Sequence, residues 1–294
     1  MTLPELNRLF STDDDCREIL TKLRWPDGVD CPRCHNRNVW WIQSRKQFTC
    51  SECSYQFSVT TGTIFNDSHL PLPSWFMTVL LLCEARKGMS ANQIKRTLGV
   101  SYKTAWYLCH RIRAAMKEVD KPMLDGTVEM DETFLGGKSS SARRRSSKEV
   151  VIGIRQRGGN LRFFHAQDVT SGTLAKFIKE NVSTDVDVIV TDEWPGYPKA
   201  MMQAGFTGRT HETIRHKDKV YVQGEVHTNT VESAFSLLKR GILGTWHKIS
   251  AKHLQSYLDE MTFRFDRRKR SDLFLDTLRH MITADPLTFS KLTA

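Results

Sequence analysis

No run of eighteen or more apolar residues occurs in the 294-residue chain, so it offers no membrane-spanning helix. Its longest apolar cluster, Trp75 to Cys83, is too short to cross a bilayer. The N-terminus, M-T-L-P-E-L-N-R-L-F, lacks the basic start and apolar run of a signal peptide. A disulfide framework is missing too. Four of the seven cysteines form two C-x-x-C pairs, while Cys16, Cys83 and Cys109 stand alone, which suits a reducing compartment and a bound metal. No internal repeat is visible. These absences predict a soluble cytoplasmic protein with no membrane partner. What is in excess is positive charge: 43 Lys and Arg against 33 Asp and Glu give +10. Counterion release from phosphates rewards such an excess, so nucleic acid is the favoured partner class. A hydrophobic content of 39% is ample for a core, and the length allows two domains or one large domain with appendages.

The first strong motif is Cys31-Pro-Arg-Cys34 followed, after fifteen residues, by Cys50-Ser-Glu-Cys53. Each C-x-x-C turn presents two thiolates, and two such turns close a tetrahedral Zn²⁺ site with no open position. The segments between read as strands, giving a zinc ribbon within residues 1–70 after a helical lead-in. His35 is redundant beside four thiolates. Arg33, Arg37, Trp40, Trp41, Arg45 and Lys46 fit either a DNA contact or an ordinary ribbon surface.

Residues 71–123 turn helical. S-W-F-M-T-V-L-L-L-C-E-A is a buried helix, and Ser90 and Ser101 cap two more around a turn at Gly99, a helix-turn-helix pattern. In that motif the start of the second helix reaches base edges, which nominates Tyr102, Lys103 and Thr104; a plain helical hairpin is the competing reading.

From residue 124 to 294 the elements run β-β-β-α-β-α-β-α, the order of a ribonuclease-H-like α/β domain with a mixed five-stranded sheet flanked by helices. In T-V-E-M-D-E-T-F-L, Val128 and Met130 alternate with Glu129 and Asp131, predicting a half-buried strand that carries Asp131 on its polar side. V-I-V-T-D-E-W-P-G-Y ends a second strand at Asp192. The Ser-rich basic stretch 138–148, with Arg143, Arg144 and Arg145, reads as a linker or a phosphate-gripping arm. A helix opening at Asn229 puts Asn229, Glu232, Ser236 and Lys239 on one stripe beside an apolar stripe of Val231, Phe235, Leu238 and Ile242. Asn229 and Glu232 could equally form a capping box. Phosphodiester cleavage by two divalent ions about 3.5–4 Å apart needs a few carboxylates, and Asp131, Asp192 and a group from this helix would provide them. Residues 250–270 form an amphipathic helix ending in R-F-D-R-R-K-R, a DNA-backbone contact or a solvated end. Residues 271–294 are expected to close the catalytic domain.

V-E-M-D-E-T-F-L-G-G, V-I-V-T-D-E-W-P-G-Y and H-T-N-T-V-E-S-A-F-S-L-L-K-R-G-I-L-G-T-W-H-K-I-S resemble the three blocks of ISXO-like bacterial insertion-sequence transposases, and the ribbon and helix-turn-helix are similar too. The resemblance covers nearly the whole chain. It implies a DDE-type transposase that uses Mg²⁺ or Mn²⁺ to hydrolyse element ends and to drive the freed 3′-hydroxyl into target DNA. It also implies double-stranded DNA as partner, a homodimer or higher assembly on paired ends, and a nucleoid-associated bacterial setting. Asp131 and Asp192 match the first two acids. For the third, block alignment leans to Asn229, which lies thirty-six residues beyond Asp192, whereas Glu232 with Lys239 gives the E-x6-K pattern of DDE enzymes generally. Both stay open. Competing functions are a catalytically silent DNA-binding regulator and a nuclease or resolvase on the same fold.

Overall fold

Thr2 and Thr12 open the chain's first two helices as reciprocal capping boxes with Glu5 and Asp15, α1 (Leu3–Leu9) and α2 (Asp13–Arg24). The computed structural model describes residues 1–136, 148–206, 210–214 and 227–294. The described chain divides into two compact units, residues 1–117 with 269–294, and residues 118–268.

In the first unit, β1 (Val39–Ile42), β2 (Gln47–Cys50) and β3 (Gln56–Phe57) form an antiparallel ribbon. Next come α3 (Leu72–Glu84), α4 (Ala91–Leu98) and α5 (Tyr102–Ala115). Ser90 and Ser101 accept the amides of Gln93 and Thr104, and Gly99 turns the chain at φ 68°, a conformation that favours glycine. The last two helices, α10 (Leu273–Thr283) and α11 (Phe289–Thr293), belong to this unit. Residues 271–294, expected to close the domain that starts at residue 124, group with the first unit. Phe274 of α10 packs on Phe10 and Phe76, and Tyr107 of α5 donates its hydroxyl to the Leu287 carbonyl.

The second unit is built on a five-stranded sheet ordered β6-β5-β4-β7-β8. Its strands are β4 (Thr127–Leu135), β5 (Glu149–Gln156), β6 (Leu161–Ala166), β7 (Val188–Thr191) and β8 (His211–Thr213). The β6-β5-β4 pairings are antiparallel, and β4-β7 and β7-β8 are parallel. Val128, Met130, Ile152 and Ile154 face one apolar layer with α6 (Ser171–Asn181) and α7 (Gly196–Ala204). Val151 and Phe163 face the other, covered by α8 (Asn229–Gly241) and α9 (Ala251–Asp266). This is the mixed α/β architecture expected of a ribonuclease-H-like domain. β4 is not half-exposed. Glu129, read as its polar side, is buried under the second layer, and so is Thr133 on the same face. Among the described residues no helix is long and apolar enough to cross a membrane.

Candidate functional site

The two cysteine turns are built alike. The Cys31 amide donates to the Asn36 carbonyl and that of His35 to the Cys31 carbonyl; Cys50 with Tyr55 and Ser54 repeats the pattern. His35 and Ser54 occupy equivalent left-handed positions, φ 59° and 54°, so His35 serves the turn and leaves ligation to the thiols. The four sulfurs lie within 4.8 Å of one another, with Cys31–Cys53 at 3.6 Å, Cys34–Cys50 at 3.5 Å and Cys34–Cys53 at 3.4 Å. A tetrahedron of Zn–S bonds of about 2.3 Å requires sulfurs about 3.8 Å apart, so the cluster suits a structural Zn²⁺. The Cys50 thiol is drawn down to about 7, chiefly by the Cys53 amide. Of the ribbon's basic residues, Lys46 pairs with Asp14 at 2.8 Å, Arg45 donates to Gln56 and Arg33 stacks on Tyr55.

The second site gathers where β4, β7 and α8 meet. The parallel register sets Glu129 against Val190, so two residues further on Asp192, just past the end of β7, comes level with Asp131. Opposite Asp131 across β5 stands Gly153. A Cβ there would lie 2.7 Å from the Phe235 ring and 2.9 Å from Val231, so glycine lets α8 settle against the sheet beside Asp131. Glu129 then fastens the helix. Its Oε2 accepts the Thr230 amide at 2.9 Å, the Thr230 hydroxyl at 2.7 Å and the Val231 amide at 3.0 Å, while Oε1 takes Arg157 Nε at 2.9 Å. His227 Nδ1 lies 3.3 Å away. A fully buried strand carboxylate thus satisfies amides that the first turn of α8 leaves without intrahelical partners.

That lock stands in place of the capping box, the alternative reading of Asn229 and Glu232. Thr228 holds the N-cap position without a side-chain cap bond, Asn229 is the first helical residue, and Glu232 accepts the Thr228 hydroxyl at 3.0 Å. Asn229, Glu232, Ser236 and Lys239 are all exposed, and Val231, Phe235 and Leu238 are buried, the two stripes expected from the sequence.

The three acids of V-E-M-D-E meet different fates. Glu129 is consumed by the helix amides and Arg157. Glu132 accepts the buried Tyr197 hydroxyl at 2.8 Å. Asp131 has only the adjacent Glu132 amide, at 2.8 Å, among its described hydrogen bonds. Its carboxyl is pushed up to about 7, first by burial and then by Glu132, Asp192 and Glu232. Glu132 is raised by burial, with Asp192 adding repulsion. Asp192 is oriented by the Trp194 amide, 3.0 Å from Oδ1. The acids interact without converging. Among the described residues, the four cysteines alone form a group of three or more ligand atoms within 4.8 Å of one another.

The remaining nominated residues scatter. Tyr102 is exposed, Thr104 bonds the Ser101 hydroxyl, and Lys103 Nζ sits 4.4 Å from the centroid of the Phe289 ring. Arg143, Arg144 and Arg145 lie outside the described residues. The basic cluster at the end of α9 is split: Arg264 is buried and Arg267 half-buried, while Arg268, Lys269 and Arg270 are exposed. Arg264 pairs with Glu260, Arg267 with Glu118 and Arg270 with Asp272, while Arg268 lies 4.0 Å over the Phe265 ring. Gly153 and Tyr197 went unnoticed in the sequence, and Glu129 was read only as a polar position of its strand. Glu129 carried a signal, as one of three acids within four residues.

Residues 123–266 match the ISXO2-like transposase domain and residues 11–56 match the transposase zinc-ribbon domain. A protein of Halobacterium salinarum, described as an uncharacterized protein in transposable element ISH50, is 28% identical over 278 residues, covering 87% of this chain and 92% of that one. A solved structure, the simian T-cell lymphotropic virus intasome in complex with PP2A regulatory subunit B56 gamma, aligns with 74% of this chain and 69% of its own. Its 13% identity and TM-score of 0.28 make that a slight likeness with no bearing on function.

Proposed function

From the matches to the ISXO2-like transposase domain and the transposase zinc ribbon, we propose that the chain cuts DNA at the ends of an insertion sequence and transfers the freed 3′-hydroxyl into target DNA. The observation that carries this reading is the Asp131 carboxyl, held at about 7 by burial and by acids from β4, the end of β7 and α8. Like charges gathered from three separate segments cost folding energy, and a hard divalent cation would offset that cost. The donor set, all oxygen, fits Mg²⁺ or Mn²⁺. Two such ions, when bound, supply polarisation of the attacking and leaving oxygens of the phosphodiester.

Asp131 is the ligand of the first block, because Glu129 and Glu132 are occupied elsewhere. Asp192 is the second, its free lone pairs aimed by the Trp194 amide. Glu232 is favoured as the third, since its charge is felt at Asp131; Asn229, one turn earlier on the same stripe, would bring an amide oxygen without charge. Lys239, exposed two turns beyond Glu232, holds a DNA phosphate. Tyr102 and Thr104 at the start of α5 contact the double-stranded DNA, and the protein works as a dimer or larger on paired ends.

Asp131→Asn and Asp192→Asn are each expected to lower Mn²⁺-dependent cleavage of element-end DNA by at least about 1,000-fold, equivalent to about 4 kcal/mol of lost transition-state stabilisation, with DNA binding retained. Cleavage at the wild-type rate in either variant would refute the site. Glu232→Gln and Asn229→Ala, measured for Mn²⁺ affinity, separate the two candidates for the third ligand.

A further inference from the structure

Trp194 follows Asp192 by two residues, and its indole is 44% exposed. Single exposed hydrophobic side chains are ordinary on any protein, and Trp40, Met202 and Leu243 are further examples here. Trp194 differs from them in its connections. Its backbone amide orients the Asp192 carboxylate. Its indole nitrogen donates to the Val169 carbonyl at 3.4 Å, tying the ring to the loop before α6. Gly196 lies beneath it so closely that a Cβ would come within 2.9 Å of Nε1 and 3.1 Å of Cδ1. Pro195 stiffens the turn between them. The ring is therefore fixed in place while much of it stays open to solvent.

Its surroundings are acidic: Asp131, Glu132, Asp192 and Glu232 all act on the same site. With divalent ions bound those charges are offset and the acids receive the reacting phosphate, so the uncharged indole beside them is left to take an uncharged, flat part of the neighbouring nucleotide. A nucleobase is that part. Every base has a π-face, and stacking on an aromatic side chain is independent of sequence. Bases are available for stacking only where the strand is unpaired, as at a frayed or flipped end next to a reacting phosphate.

We propose that Trp194 is a nucleobase-stacking subsite that holds an unpaired base of the DNA strand beside Asp192. The subsite rests on the transposase reading of the neighbouring acids. The substrate it selects is a strand opened at its end, in preference to intact duplex.

The test compares binding of full-length protein, in Mn²⁺, to a DNA duplex with a short unpaired 3′ end and to the same duplex fully paired. A third probe carries abasic sites in the unpaired segment. Wild type should prefer the unpaired end, and Trp194→Ala should lose that preference by about 5- to 100-fold while paired-duplex affinity holds. Abasic sites should cost wild type the same factor and cost Trp194→Ala nothing further, the signature of a coupled pair. Trp194→Phe should retain most of the preference, whereas Trp194→Leu, similar in apolar character but without a π-face, should lose it. This Phe–Leu contrast decides the matter even if the alanine variant folds poorly. Equal behaviour of Phe and Leu, or no preference of wild type for the unpaired end, overturns the subsite. Mn²⁺ affinity, measured alongside, separates the two failures. If wild type binds Mn²⁺ but Trp194 has no effect, only the subsite falls; if the Asp131–Asp192 site binds no Mn²⁺, the transposase reading falls with it.

Discussion

The ribbon and the acidic site solve opposite problems with similar means. In the ribbon, four ligands come from two short turns of one hairpin region, and backbone hydrogen bonds within each turn aim the sulfurs at a common point. In the acidic site, carboxylates come from three segments spread over a hundred residues, and they repel one another. A site made by local geometry is closed and stabilises its own domain. A site made by tertiary packing is held open against its own charge, and the surrounding fold must supply the restraint. Glu129 and Gly153 supply it here, one by fastening α8 and the other by leaving room for it.

The comparison can be broken most violently at the ribbon. Removing zinc by chelation, or replacing Cys50 with Ser, is expected to unfold residues 25–57, with a loss on the order of 10 kcal/mol of metal-linked folding energy. Hydrogen exchange should show protection vanishing there while the amides of β4 to β7 stay protected. Loss of protection in both would mean that the ribbon is not a separate metal-dependent unit.

Next in size is the fastening of α8. Glu129→Ala removes the buried ion pair with Arg157 and strands two helix amides, which should cost about 3–5 kcal/mol in chemical denaturation. Glu129→Gln, which keeps an acceptor of the same shape, should cost less. Gly153→Ala forces a methyl group into Phe235 and Val231, so about 1–3 kcal/mol of overpacking is expected. Its Mn²⁺ affinity should fall as well, because α8 must shift away from Asp131. An unchanged affinity would show that the sheet-to-helix spacing does not set the site.

The smallest effect has the opposite sign. The Asp131 carboxyl is raised from 3.8 to about 7, so its contribution to stability is fully present below about 4 and is lost as pH rises toward 7. Without divalent cations other than zinc, Asp131→Asn should therefore be more stable than wild type by roughly 1–3 kcal/mol at pH 8, less at pH 5. Denaturant titrations at the two pH values check this. A variant less stable than wild type at pH 8 would show that Asp131 is not under electrostatic load.

Much of this was legible in the chain because the governing interactions are local. Paired cysteines announce a metal turn, capping serines and Gly99 mark the helix-turn-helix, and the order of strands and helices names the sheet. The polar and apolar stripes of α8 were readable from spacing alone. Harder were features whose partner lies far along the chain. An amphipathic helix such as α10 states that it needs cover without stating whose, and it found α2 and α3 in place of the five-stranded sheet. In the run R-F-D-R-R-K-R, read as a DNA contact or a solvated end, charge in a sequence carries no record of its ion-pair partners: Arg264, Arg267 and Arg270 pair with Glu260, Glu118 and Asp272, while Arg268 and Lys269 stay exposed.

The sequence by itself determined the ribbon, the helical and strand segments, and which residue types were available for metal and phosphate chemistry. Short-range hydrogen bonds and periodic burial suffice for those. Tertiary structure alone decided which of three neighbouring acids stays available. One turned to the amides of a helix a hundred residues away, one turned to a tyrosine on the opposite face, and Asp131 was left facing Asp192 and Glu232. That choice is made by the pleat of a strand and the register of its neighbours, which exist only once the sheet has formed.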